Sequence, residues 1–133
     1  MKVTVQHMNG LRSLVTVGAH TVVVDPAPED GGTGTALSAP QLFAAAVGAC
    51  ILEFVANSCR LHGNSFEHLS LQMEVEEQQG PRRLGNMRAT ILVEPDPPED
   101  VKQRLPGVAR HATLVNTLVR PPEVTIQLVG KAE

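Results

Sequence analysis

The sequence has no tyrosine and no tryptophan, and only three phenylalanines among 133 residues. A core built from it is aliphatic, made of Val, Leu and Ala. Base stacking on Tyr or Trp is excluded, which leaves only Phe for that task. Catalysis by a tyrosine acid is excluded as well. An excess of positive charge is also missing: eleven basic residues face fourteen acidic ones, a net charge of −3. A nucleic-acid surface needs a basic excess. Cysteine is scarce, since Cys50 and Cys59 are too few for the disulfide framework of a small secreted domain. The longest apolar run, Leu42 to Leu52, is eleven residues, short of the roughly 20 that span a bilayer. Met1 to Val5 reads as a strand rather than a secretory signal. Together these absences predict a soluble, cytoplasmic protein with reduced thiols and with no nucleic-acid or membrane partner.

Length sets the scale of the core. A chain of 14.2 kDa is expected to expose roughly 6,800 Å² when folded, against about 20,600 Å² when unfolded. Burial on that scale needs neither a disulfide nor a zinc staple. The sequence predicts one domain over residues 1–133, without internal repeats. It divides into an N-terminal strand meander (1–25), a Gly/Pro loop (26–37), and a remainder of helix, hairpin, helices and final strand (38–133).

Alternation predicts strands at Lys2 to His7, Leu11 to Val17 and His20 to Asp25, with Asn9-Gly10 as a hairpin turn. The loop from Asp25 to Pro40 is rich in Pro and Gly, and its bland reading is a flexible connector. Ser38 and Gln41 have capping-box spacing, Pro40 fits a first helical turn, and Gly63 reads as a stop. A helix from Ala39 to His62 would be about 36 Å long. Only Glu53 is charged between Leu42 and Ala56, so this helix is apolar nearly all round and should be covered all round. One small sheet covers only one side, which calls for a partner subunit on the other. Leu69 to Glu77 and Met87 to Glu94 alternate as paired strands. Glu99 to Leu105 reads as a short helix interrupted by Pro106-Gly107, Val108 to Leu118 as another, and Val124 to Val129 as a final strand.

Cys50 draws attention among small side chains in Ala-Ala-Val-Gly-Ala-Cys. A buried cysteine is commonly a small inert hydrophobe; a reactive one needs a nearby cation or base. Cys50 and Cys59 are nine residues apart on the expected helix. They would sit about 180° apart around its axis and about 13.5 Å along it. Disulfides need Cα atoms within about 7 Å, so an intrachain bond is excluded. Cys59 and His62, with His68 as the nearest third group, fall short of the four ligands of structural zinc. No metal site is expected. The run Gly32-x-Gly34 lacks a third glycine at Leu37 and a following Lys, so no phosphate loop is expected.

Ser38-Ala-Pro-Gln-Leu-Phe-Ala-Ala-Ala-Val-Gly-Ala-Cys50 resembles the cysteine helix of the OsmC/Ohr family, the osmotically inducible and organic hydroperoxide resistance proteins. The preceding Gly10-Leu11-Arg12, Gly18-Ala19-His20 and Asp25 fit the same order. His111-Ala-Thr-Leu-Val-Asn-Thr-Leu118 followed by Pro121-Pro122 is similar to the family's second cysteine motif. The resemblance implies an α+β fold with antiparallel sheets around a long central helix, an intertwined homodimer, no cofactor, and reduction of hydroperoxides by a reactive cysteine. Cys50 matches the reactive position, and Arg12 is a loose match for the activating Arg. Two positions depart from the pattern: Ala112 replaces the second cysteine, and Pro40 replaces a Glu. Glu53, one helical turn from Cys50, could orient an Arg in place of that Glu, although alone it would disfavour a thiolate. With no second thiol in reach, a small-molecule thiol or Cys59 of a partner subunit would have to reduce an oxidised Cys50. The alternative is a non-catalytic dimer with an inert Cys50 that binds a small apolar ligand.

Overall fold

The computed structural model describes residues 1–132. The chain opens with strands β1 (Thr4–His7), β2 (Ser13–Val17) and β3 (His20–Val24), which form an antiparallel meander in that order. A single 3₁₀ turn at Pro28–Asp30 interrupts the loop that follows. Helix α1 (Ala39–Leu61) leads to a hairpin of β4 (His68–Gln78) and β5 (Arg83–Glu94), then to α2 (Glu99–Ala109) and α3 (Thr113–Val119). The fold is α+β with two antiparallel sheets and one long helix bearing both cysteines, as expected.

Helix α1 begins as its sequence dictates. The Ser38 hydroxyl accepts from the Gln41 N–H at 3.2 Å, and the Gln41 side chain accepts from the Ser38 N–H at 2.9 Å. These two bonds close a capping box and satisfy donors that a helix start leaves free. One face of α1 is buried, through Val47, Gly48, Ile51, Val55, Ser58 and Cys59. It packs on the inner face of the β4–β5 hairpin, where Leu69, Leu71, Met73, Met87, Ile91 and Val93 alternate inward. Helices α2 and α3 cover its flank with Val101, Leu105, Leu114 and Val115.

The other side of α1 is uncovered. Ala45, Ala49 and Glu53 are exposed. By length and composition α1 could cross a membrane, with a mean hydropathy of 1.8 in its most apolar window, but 33% of that window is buried against the chain itself. The N-terminal meander leaves one face bare: Val5 and Val22, in register on either side of Val15, remain exposed. In all, the chain exposes 10251 Å², about half again the roughly 6,800 Å² of a compact monomer of its mass.

Two expectations are corrected. Pro106 does not interrupt a helix; α2 runs through it to Ala109. Pro106 is exposed and lies near the helix end, so the backbone bond it removes is replaced by water at small cost. The break comes instead at Arg110 to Ala112, where Ala112 turns extended (φ −58°, ψ 140°) before α3. Val124 to Val129 forms no strand within the chain. Its apolar residues stand in solvent, with Ile126 92% and Leu128 94% exposed. A strand needs a neighbour to accept its backbone bonds, and among the described residues no strand of the same chain pairs with this segment.

Candidate functional site

Cys50 is the twelfth residue of α1, too far from its first turn to gain from the helix dipole. It is half-buried and packs against the apolar cluster of Val47, Ile51, Val55, Cys59, Val101, Leu105 and Ala112. Cys59 is buried within that cluster, and both thiols are free. Because α1 is unbroken between them, the two sulfurs lie on different sides of the helix, as the spacing requires.

Among the described residues no ion pair joins the candidate Arg12 and Glu53. Glu53 is exposed one turn beyond Cys50 and takes part in no ion pair among the described residues. Arg12 lies in the β1–β2 turn, where its Nε donates to Asn9 Oδ1 at 3.0 Å. Ala112, at the position expected for a second cysteine, is fully buried in the cluster that Cys50 touches. Pro40 lines an apolar hollow of about 680 Å³ with Ala39, Phe43, Leu84, Met87 and Leu118. A second hollow, of about 310 Å³, runs beside Ala45, Gly48 and Ala49, the small residues that precede Cys50. Among the described residues no three His, Cys, Asp or Glu side chains converge on a metal position, so Cys59, His62 and His68 do not form one.

The sequence reading placed Asp25 in the order of motifs but missed its structural role. The loop after β3 is tied down rather than slack. Asp25 is 1% exposed, and its carboxylate accepts from the Thr33 hydroxyl (2.5 Å), the Thr35 hydroxyl (2.7 Å) and both backbone N–H groups (3.1 and 3.0 Å). These bonds, the Thr33 hydroxyl foremost, hold the carboxyl far below its ordinary range despite burial. Gly32 is required here: a Cβ would sit 1.9 Å from the Pro26 carbonyl oxygen. An ion pair, Arg82 to Asp30 at 3.2 Å, joins this loop to the β4–β5 turn. The only signal in the sequence was an Asp followed by two threonines within a Gly-rich run.

This arrangement, a partly buried cysteine on a long apolar helix backed by a β-hairpin, defines an OsmC-like architecture. The family model for OsmC-like proteins matches residues 32–127, and the chain belongs to that family. Solved structures agree in fold. An osmotic stress and detoxification response protein from Psychrobacter arcticus is 15% identical with a TM-score of 0.82, over 88% of this chain and 87% of that one. The organic hydroperoxide resistance protein OsmC from Legionella pneumophila is 21% identical with a TM-score of 0.70, over the same shares. The organic hydroperoxide resistance protein OhrB of Bacillus subtilis is 17% identical with a TM-score of 0.62, over 87% of each chain. At these identities the likeness concerns the fold alone. No curated protein matches the sequence.

Proposed function

We propose that the protein is a homodimeric, thiol-dependent hydroperoxide reductase acting through Cys50. The observation that carries the chemistry is the setting of Cys50: a free, only partly buried cysteine at the edge of the apolar core, in a family whose solved members include proteins named for organic hydroperoxide resistance. The Cys50 thiolate attacks the outer oxygen of a hydroperoxide. The O–O bond breaks, the alkoxide leaves and takes up a proton, and Cys50 becomes a sulfenic acid. A first small thiol displaces water from it to give a mixed disulfide, and a second releases Cys50 as thiol and leaves as the disulfide. External thiols are needed because Ala112 offers no sulfur and Cys59 lies away from Cys50 on the same helix. A reducing cytoplasm supplies such thiols. Arg12 from a neighbouring subunit is the proposed activating cation, with Glu53 as a group that can orient it.

The dimer is supported by area. The excess exposed surface, about 3,400 Å² over a compact monomer, is several times the roughly 800 Å² per partner of a standard interface. The uncovered side of α1, the bare face of the meander around Val5 and Val22 and the unpaired 124–129 segment are the surfaces that an intertwined second copy would cover.

The test is consumption of an organic hydroperoxide by purified protein with dithiothreitol. Cys50→Ser should abolish it, and equal rates for mutant and wild type would end the proposal. A second reading rests on the apolar hollow at Pro40 and Phe43: a non-catalytic dimer that binds a small apolar ligand. Under that reading Cys50 alkylates at pH 7 no faster than an ordinary free thiol, whereas under the first it alkylates markedly faster.

A further inference from the structure

The turn that bears Arg12 is closed by four hydrogen bonds. The Met8 N–H donates to the Arg12 carbonyl at 2.9 Å, and the Arg12 N–H donates to the Asn9 carbonyl at 3.0 Å. His7 Nε2 donates to the Gly10 carbonyl at 2.8 Å. Arg12 Nε donates to Asn9 Oδ1 at 3.0 Å. Gly10 takes the left-handed conformation this turn requires (φ +57°). The Arg12 side chain, otherwise free to sample many rotamers in solvent, is thus tethered near its head.

The tether is an amide and not a carboxylate. Among the described residues the ion pairs belong to Arg82 and Lys102 alone, with Asp30, Glu77 and Asp96. Asp25 lines the same hollow of about 330 Å³ as Arg12 but makes no ion pair with it. Both oxygens of Asp25 are occupied by Thr33 and Thr35. Among the described residues the Arg12 charge therefore has no ion-pair partner. One of the five guanidinium donors is used, and the four N–H groups of its two amino ends stay free.

We propose that Asn9 is the positioning residue for Arg12: it fixes the guanidinium through Nε while leaving its charge available to the Cys50 thiolate. The proposal rests on the hydroperoxide-reductase reading above. A thiolate gains most from an unneutralised cation held at fixed range.

The experiment measures alkylation of Cys50 by iodoacetamide against pH on the intact protein. Peptide mass spectrometry separates Cys50 from Cys59, and hydroperoxide turnover is followed in parallel. Four variants are compared with wild type at matched oligomer mass and circular dichroism: Arg12→Gln, Asn9→Ala, Asn9→Asp and Asn9→Ser. Arg12→Gln should slow Cys50 alkylation at pH 7 about tenfold, equivalent to a one-unit shift of the profile. Asn9→Asp keeps the acceptor but neutralises the cation, so it should slow alkylation nearly as much. Asn9→Ala should lower kcat more than it raises KM, and Asn9→Ser, which keeps a neutral acceptor, should restore part of the loss. If Arg12→Gln slows alkylation while every Asn9 variant matches wild type, the role of Asn9 is overturned and that of Arg12 stands. If Arg12→Gln has no effect, the Arg12 reading falls and Asn9 falls with it.

Discussion

Ala112 and Cys50 belong to one apolar cluster, Ala112 fully buried at the bend before α3 and Cys50 packed against the cluster from α1. A side chain at 112 thus projects into the cluster that Cys50 packs against. Ala112→Cys should place a second sulfur there without overfilling the core, since it adds one atom. Treatment with a hydroperoxide should then yield an intramolecular disulfide, read as loss of two free thiols and faster migration on a non-reducing gel. Adding Cys50→Ser should abolish that species. Persistence of both thiols would show that the bend holds position 112 beyond disulfide range.

Residues 124–129 are proposed to pair with a second copy, and their apolar side chains would supply the anchoring. Replacing Ile126 and Leu128 together by Asp removes about 3–6 kcal/mol of burial per protomer. The dimer dissociation constant should rise by at least about 100-fold. Light scattering at micromolar concentration should then report the monomer mass. An unchanged dimer would mean that this segment stays outside the interface.

Val55 is 0% exposed at the centre of the α1 packing face. Val55→Ala should cost about 2–3 kcal/mol, the sum of lost methyl transfer and a residual cavity. Denaturant unfolding should show a lower midpoint at unchanged slope. A cost below about 0.5 kcal/mol would mean that the cluster closes around the gap.

Asp25 makes acid stability readable. Its carboxyl titrates below the ordinary carboxylate range when folded, so the unfolded chain binds its proton first as pH falls. The stabilisation is complete above the unfolded value of about 3.9 and is lost as pH drops below it toward the folded value. Asp25→Asn should lower stability at pH 7 and flatten the decline below about pH 4. A mutant curve parallel to wild type throughout that range would contradict the role given to the four bonds from Thr33 and Thr35.

Much of the fold was legible in local pattern. Ser38 and Gln41 mark the start of α1, and the alternation of Leu69, Leu71, Met73 and Val75 marks an inward strand face, because capping and pleating act over a few residues. Pro106 misled for the same reason: its propensity is local, but an exposed site near a helix end costs little. Asp25 was illegible because its partners lie eight and ten residues away along a loop with no period. Within the site, the order of motifs singled out Cys50, Arg12, Ala112 and Pro40, but not the amide that tethers Arg12.

The sequence by itself determined an aliphatic core without Tyr or Trp, one long apolar helix, and two thiols on that helix that cannot join within the chain. Each follows from composition or helical spacing alone. The tertiary structure decided which face of α1 is covered, where Ala112 falls relative to Cys50, and that residues 124–129 find no partner in their own chain. Those outcomes depend on which distant segments meet, and chain connectivity and burial set that together.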